Sequence, residues 1–114
     1  MQDAVQQLAA ARAGHHAAVY CRLTAAATAA DRPLPRGTEG AIGRAQSDYH
    51  GEPEAAALLR EMNVAVFRLR HAILTRAEAE TQVQRDTLGR LAGEWLYFAP
   101  LFKVAELLLA EGIA

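Results

Sequence analysis

Residues 53–74, PEAAALLREMNVAVFRLRHAIL, decide the fold class of this 114-residue chain. Apolar side chains recur there every three or four positions and share about one-third of a helical wheel, with charged residues opposite. Phe67 and Leu74 lie outside this apolar stripe, which predicts a helix in the middle of a bundle with a neighbour on a second side. The stripe itself consists of Ala55, Leu58, Leu59, Met62, Val66, Leu69 and Ile73.

Proline and glycine divide the rest of the chain into further helices, because proline ends or starts a helix and glycine suits the residue just past a helix end. Thr75 followed by Glu78 has the spacing of a capping box, which predicts a break between the third and fourth helices. The sequence thus predicts an all-α fold, a compact four- or five-helix bundle that forms a single helical domain over residues 1–114. The predicted helices span about 3–30, 38–50, 53–74, 76–98 and 100–111, and a single bent rod over 53–98 is the alternative for the third and fourth.

Charge and cysteine content exclude several classes of partner. Twelve basic and thirteen acidic side chains give a net charge of −1, so we do not expect the nucleic-acid binding that a basic surplus drives. The single Cys21 cannot form an internal disulfide, and the first residues lack a basic leader, so we expect a cytoplasmic protein. The abundance of alanine and arginine is typical of a GC-rich bacterial genome.

Polar side chains interrupt the apolar face of the first predicted helix. Arg12 lies near its centre, and His15 and His16 lie at its edges. Our main interpretation is that the first three turns extend past the core, so that Arg12 reaches water and the helix packs only from Val19 onward. The alternatives are a polar contact of Arg12 and His16 with another helix or subunit, or a ligand or metal site.

A second polar group lies at the joint between the second and third helices, where Asp48, His50, Glu52 and Glu54 alternate with other residues. We interpret these side chains as a turn and as negative charge that favours the N-terminus of the third helix. The alternative is a weak cation site. The four histidines do not follow the spacings of helical metal sites, and we expect no cofactor.

Arg44 and His50 are six residues apart, and this spacing resembles the Arg-x4–6-His pair of HEPN-type ribonucleases. The resemblance implies an all-α enzyme in which the pair contacts the phosphate of RNA and transfers protons. The residue after Arg44 is Ala45, where the family commonly has a polar residue. A chain with eleven arginines and four histidines contains such a spacing about once by chance, so this ribonuclease is a remote alternative.

Large apolar residues are concentrated towards the C-terminus. Apart from alanine, residues 1–57 contain ten apolar side chains and residues 58–114 contain twenty-three. Four of the seven aromatic residues lie within 95–102, and the segment 95–109 is too short and too often interrupted to cross a membrane. An apolar segment of this kind needs burial, which predicts contact with another chain.

The sequence therefore predicts a small, non-catalytic helical interaction or regulatory protein that self-associates, with a dimer favoured, or that binds another protein. A small-ligand- or metal-binding bundle that uses Arg12, His15, His16, Asp48, His50 and Glu52 is the alternative function. The expected partner-binding residues are Gly89, Gly93, Trp95, Phe98, Leu101, Phe102 and Leu108.

Overall fold

The computed structural model describes residues 4–28 and 33–98, which form an all-α bundle of four helices. No strand occurs within this described part. The helices are α1 (Ala4–Thr28), α2 (Thr38–Asp48), α3 (Pro53–Leu74) and α4 (Glu78–Trp95), and a 3₁₀ turn over Leu96–Phe98 follows α4. The predicted all-α fold is confirmed, while the fifth helix predicted over 100–111 lies outside the described residues. None of the described helices combines the length and the apolar character that crossing a membrane requires.

The four helices pack in a ring, in which α1 contacts α2 and α4, and α3 also contacts α2 and α4. Large side chains from α3 and α4 fill the centre, and α1 and α2 add Val19, Leu23 and Ile42. Much of the remaining contribution of α1 and α2 is alanine, including the buried Ala26 and Ala41. Alanine adds little area, but it lets helix backbones approach closely, so the first half of the chain covers more of the second half than its few large side chains suggested.

Helix α2 forms although it contains Gly40 and Gly43, two residues that weaken helices. Both glycines face solvent, while Ala41, Ile42 and Ala45 on the other side are fully buried. Packing of this face therefore stabilises a segment whose intrinsic helix propensity is low.

The break between α3 and α4 occurs where the sequence predicts it, but a different motif makes it. The N–H of Ala77 donates to the carbonyl of Ala72 at 2.9 Å and that of Arg76 to the carbonyl of Ile73 at 3.2 Å, which is the Schellman pattern of a helix C-terminus. Arg76 adopts a left-handed backbone with φ 56°. The predicted capping box is wrong, because Thr75 donates its hydroxyl to the carbonyl of His71 and no side chain caps α4.

Arg85 on α4 is a buried cation, and the apolar pattern of the sequence did not indicate its burial. Its side chain is almost completely enclosed, and its Nη1 donates to the carbonyl of Ala26 at 2.6 Å. The carbonyls of the last turn of a helix have no partner within the helix and carry partial negative charge. Arg85 thus satisfies the end of α1 and joins it to α4.

Candidate functional site

The N-terminal half of α1 packs into the bundle much earlier than expected. Ala13, His16 and Ala17 are buried, so the interpretation that α1 packs only from Val19 onward is wrong. The reason is that Tyr49 and Trp95 supply an aromatic and polar environment in which a histidine is covered and hydrogen bonded. His16 is fully buried there.

Three rings pack together where α1, α4 and the end of α2 meet. The imidazole of His16 stacks on the indole of Trp95, with ring centroids 4.1 Å apart and an interplanar angle of 9°. Tyr49, the residue that follows α2, meets the indole edge-on at 5.2 Å. Aromatic contacts of these two kinds stabilise a packed core beyond the area that they bury. The cluster fixes the relative position of the three helices.

Hydrogen bonds connect the same three side chains in a defined direction. Trp95 donates its Nε1–H to the carbonyl of His16 at 3.0 Å, and Tyr49 donates its hydroxyl hydrogen to the carbonyl of Phe98 at 3.1 Å. Because the Tyr49 hydroxyl has only one hydrogen, His16 Nδ1, 3.0 Å away, must be the donor in the bond between them. The neutral imidazole therefore carries its proton on Nδ1.

The other ring nitrogen of His16, Nε2, is buried and has no hydrogen-bond partner among the described residues. Burial lowers the pKa of His16 to about 4, and the nearby positive charge of Arg12 acts in the same direction. Burial also raises the pKa of the Tyr49 hydroxyl above its usual value. Both groups are therefore neutral at pH 7, as the hydrogen-bond chain requires.

Around this ring cluster, the two polar groups that the sequence indicated come together. Arg12 pairs with Glu52 at 3.0 Å and places its guanidinium 4.8 Å from the centre of the Tyr49 ring. His15 Nδ1 lies 2.7 Å from a carboxylate oxygen of Asp48. We call this set the polar seam; it comprises Arg12, His15, His16, Asp48, Tyr49 and Glu52. Glu52 is the N-cap residue of α3, in agreement with the interpretation as a turn and N-terminal charge, and both Asp48 and Glu52 also pair with side chains of α1.

His50 and Arg44 lie outside the polar seam. His50 is exposed, and its Nδ1 is 3.3 Å from the carbonyl of Ser47, to which it donates. Arg44 is exposed on α2. The structure thus brings five of the six predicted ligand residues together and leaves His50 on the surface.

The chemistry that the polar seam offers is limited by its internal pairing. Among the described residues, no three His, Cys, Asp or Glu side chains come together in a way that could hold a metal ion. His15 is one-third exposed, and Asp48 orients its ring, as a carboxylate does for a histidine that transfers protons. The positive charge of Arg12 is compensated by Glu52, so Arg12 does not present an unpaired charge to a ligand.

Sequence reasoning missed the roles of Tyr49 and Trp95. In the sequence, Tyr49 lies at helical spacing from Ile42 and Ala45, which indicates an apolar core residue and gives no partner for its hydroxyl. The only feature of the sequence that indicated this contact was a pair of adjacent polar residues in each segment, His15 and His16 in α1 and Asp48 and Tyr49 at the end of α2. Their pairing across 33 positions depends on how α1 crosses α2, which periodicity within one helix does not specify.

Most of the described residues that we expected to bind a partner face the interior. Trp95 is fully buried, and Phe98 is half-buried. A Cβ added to Gly89 would lie 3.3 Å from the Cβ of Ala27, so Gly89 faces α1 of the same chain. Gly93 is exposed with open space around it. The other three expected residues, Leu101, Phe102 and Leu108, lie outside the described residues.

Large apolar side chains are exposed instead along the outer side of α3. Val64, Phe67 and Leu74 are 48%, 72% and 76% exposed. The prediction that α3 has two neighbours is confirmed, because α3 contacts α2 and α4, but no described helix covers Phe67 and Leu74. We call this side of α3 the outer stripe; it contains Ala57, Arg60, Val64, Phe67, His71 and Leu74.

The chain matches no protein-family model, no curated protein and no solved structure. The candidate sites therefore rest on their own geometry.

Proposed function

We propose that this chain is a small helical interaction module that self-associates and performs no chemistry of its own. The observation that supports this proposal is the outer stripe, where Phe67 and Leu74 are more than two-thirds exposed on one side of α3. Single exposed apolar residues are ordinary on protein surfaces, but several on one face are typical of an interaction site.

The C-terminal sequence supports the same function independently. Leu101, Phe102 and Leu108 belong to an apolar segment, and we propose that they contribute to association as a second contact. Gly93 offers an open position on α4 near this segment in sequence. A dimer is the simplest assembly, because one self-complementary surface closes it.

The state of the polar seam is consistent with a module that has no catalytic role. Its ion pairs and the hydrogen bond between His16 and Tyr49 hold α1 against the joint between α2 and α3. A catalytic histidine works best with a pKa near the working pH, whereas burial keeps His16 neutral at that pH. We therefore assign the seam to folding.

Size-exclusion chromatography with light scattering tests the proposal over a range of about 1 to 500 µM protein, which covers weak to moderate self-association. The expected result is a mass that rises from 12.3 kDa towards twice that value with increasing concentration. A mass that stays at the monomer value over the whole range would overturn the proposal.

A second candidate function is the binding of a small polar ligand at the seam. The observation that favours it is that Arg12 Nε and His16 Nε2 are both buried without a hydrogen-bond partner among the described residues, one turn apart on α1. A donor and an acceptor so placed could bind a small molecule with both kinds of group. Native mass spectrometry of the purified protein would reveal such a ligand as an added mass, lost in an Arg12→Met variant that still folds.

A further inference from the structure

The residues of the outer stripe have the spacing of an interface between two packed helices. They fall on two interleaved series, each with a period of seven residues, as the a and d positions of packed helices do. One series is Ala57, Val64 and His71, and the other is Arg60, Phe67 and Leu74. The core-facing residues of α3 lie on the opposite side of the helix, so the outer stripe is free to contact another molecule.

We propose that the occupant of the outer stripe is the outer stripe of a second copy, with the two α3 helices antiparallel about a two-fold axis. This inference rests on the proposed self-association and assigns its surface. In this arrangement the two-fold axis lies on the outer side of α3, at the height of the peptide bond between Ala65 and Val66. Val64 then lies opposite the partner's Phe67, and Ala57 lies opposite the partner's Leu74. Each contact occurs twice, as in any isologous interface.

The small and large members of the stripe complement each other in this register. Phe67 and Leu74, which protrude most, each meet a smaller side chain of the other copy. A parallel pair would instead place Phe67 against the partner's Phe67 and leave a gap between the two copies of Ala57. Interfaces pack best when large side chains fill spaces next to small ones.

Charge also favours the antiparallel arrangement. Glu61 and Arg68 lie on the same flank of the outer stripe, two turns apart. An antiparallel pair puts Glu61 beside the partner's Arg68, and the symmetry repeats this attraction. Glu61 also lies 3.8 Å from Arg90 of its own chain, in an exposed ion pair that the partner's Arg68 would share. A parallel pair would instead put Arg68 beside the partner's Asn63, so that orientation lacks this attraction.

Arg60 is a charged residue within the mostly apolar stripe, and in this register it lies opposite the partner's His71. Arg60 is exposed and its long stem can cover apolar surface while its guanidinium reaches water. One helix pair buries less area than the standard interface of about 1,600 Å², so the dimer is expected to be weak. We expect a dissociation constant in the micromolar range or above.

The first test places a charge at the centre of the stripe. Phe67→Glu is expected to weaken dimerisation at least about tenfold, because the carboxylate would be buried opposite the partner's Val64. Ser47→Glu is the control, since Ser47 is also exposed and gains the same charge but lies on α2, outside both proposed contacts. Circular dichroism checks that both variants remain helical, and Leu74→Glu provides a second variant of the stripe.

The second test exchanges charges between copies. Glu61→Arg alone and Arg68→Glu alone should each weaken the homodimer, because each creates two like-charge contacts. A mixture of the two variants should form a heterodimer with affinity close to the wild type, because each contact again joins opposite charges. Recovery in the mixture requires the antiparallel register, so it would not occur if the two residues acted separately.

The outcomes separate this inference from the proposed function. A wild-type chain that is monomeric throughout would overturn both. A wild-type dimer that Phe67→Glu and Leu74→Glu leave intact would overturn the outer stripe as the interface while self-association stands. A dimer weakened by Ser47→Glu as strongly as by Phe67→Glu, or a mixture without recovery, would also overturn the antiparallel α3 contact.

Discussion

His16 couples the stability of the fold to pH at the scale of a single residue. Its pKa is about 4 in the folded chain against 6.5 as the ordinary value, so between these pH values the unfolded state binds more protons. Stability is therefore full above about pH 6.5 and is lost as the pH falls towards 4. At about 1.4 kcal/mol per pKa unit, the loss in free energy of unfolding approaches about 3 kcal/mol.

Urea denaturation at pH 7, 5.5 and 4.5 measures this loss. A His16→Asn variant should be less stable at pH 7 but should show a much smaller further decrease on acidification. His50→Asn is the control, because His50 is exposed and its removal should leave the pH dependence as in the wild type. Equal slopes for His16→Asn and the wild type would contradict the assignment.

Arg76 offers a stabilising substitution, because its backbone is left-handed at the end of α3. An L-residue with a side chain pays about 1–2 kcal/mol for that conformation, and glycine avoids this cost while losing some chain entropy. Arg76→Gly should raise the free energy of unfolding by about 0.5–1 kcal/mol, measured by thermal or urea denaturation. Arg76→Ala retains a Cβ and should give little of this gain, so equal effects of the two substitutions would show that backbone strain is not the cause.

Individual polar contacts were the least predictable part of the molecule. The sequence indicated that Arg12 and His16 needed partners, because a charge or an imidazole on an apolar face is costly when unpaired. It did not indicate that Glu52 and Tyr49 are those partners, since this depends on the crossing of α1 over α2. The favoured interpretation kept Arg12 in water, whereas its side chain is about one-third exposed and ion-paired.

At the scale of the helix, Gly89 and Gly93 lie on two different sides of α4, Gly89 on the side packed against α1 and Gly93 on the exposed side. Gly93→Ala should stabilise the fold by about 1 kcal/mol, because the site is open and alanine is the better helix former. Gly89→Ala should gain less, since its Cβ would lie 3.3 Å from the Cβ of Ala27 on α1. Gly89→Leu should be destabilising by about 1–3 kcal/mol through overpacking between α1 and α4.

Thermal unfolding of these glycine variants checks the three values. Gly93→Leu serves as the control for size, and it should be more stable than the wild type by nearly as much as Gly93→Ala, because the site is open and leucine is also a good helix former. A loss of stability in Gly93→Leu as large as that in Gly89→Leu would contradict the packing of Gly89 on α1. A change in dimer mass in Gly93→Leu alone would instead indicate that this face of α4 contributes to association.

Helix positions were well predicted, because they depend on local patterns. Apolar periodicity and the proline at position 53 located α3, whose bounds match the prediction. The break after Leu74 was also predicted, although the Schellman ending with a left-handed Arg76 replaced the expected capping box. A capping box and a helix C-cap can occupy the same few residues, and the sequence alone does not show which set of hydrogen bonds forms.

The outer stripe makes a separate prediction for the whole molecule, because Phe67 lies outside the core. Phe67→Ser should change the free energy of unfolding of the monomer by less than about 0.5 kcal/mol, as for an ordinary surface substitution. Association stabilises the folded state by mass action, so the wild-type melting temperature should rise with protein concentration. This rise should be much smaller in Phe67→Ser, and differential scanning calorimetry at several concentrations measures both effects.

The buried Ala41 and Ala45 serve as the comparison for that experiment. Replacing either by serine should lower the melting temperature equally at every concentration, since their loss acts on the fold and not on the assembly. A concentration dependence that persists unchanged in Phe67→Ser would place the association elsewhere on the molecule.

The stack of His16 on Trp95 gives the protein a built-in optical reporter. The indole is the only tryptophan of the chain, and its ring lies parallel to the imidazole at 4.1 Å. A protonated imidazole in such contact quenches indole emission, whereas a neutral one does so far less. We therefore expect the emission intensity of the folded protein to report the charge state of His16 without an added label.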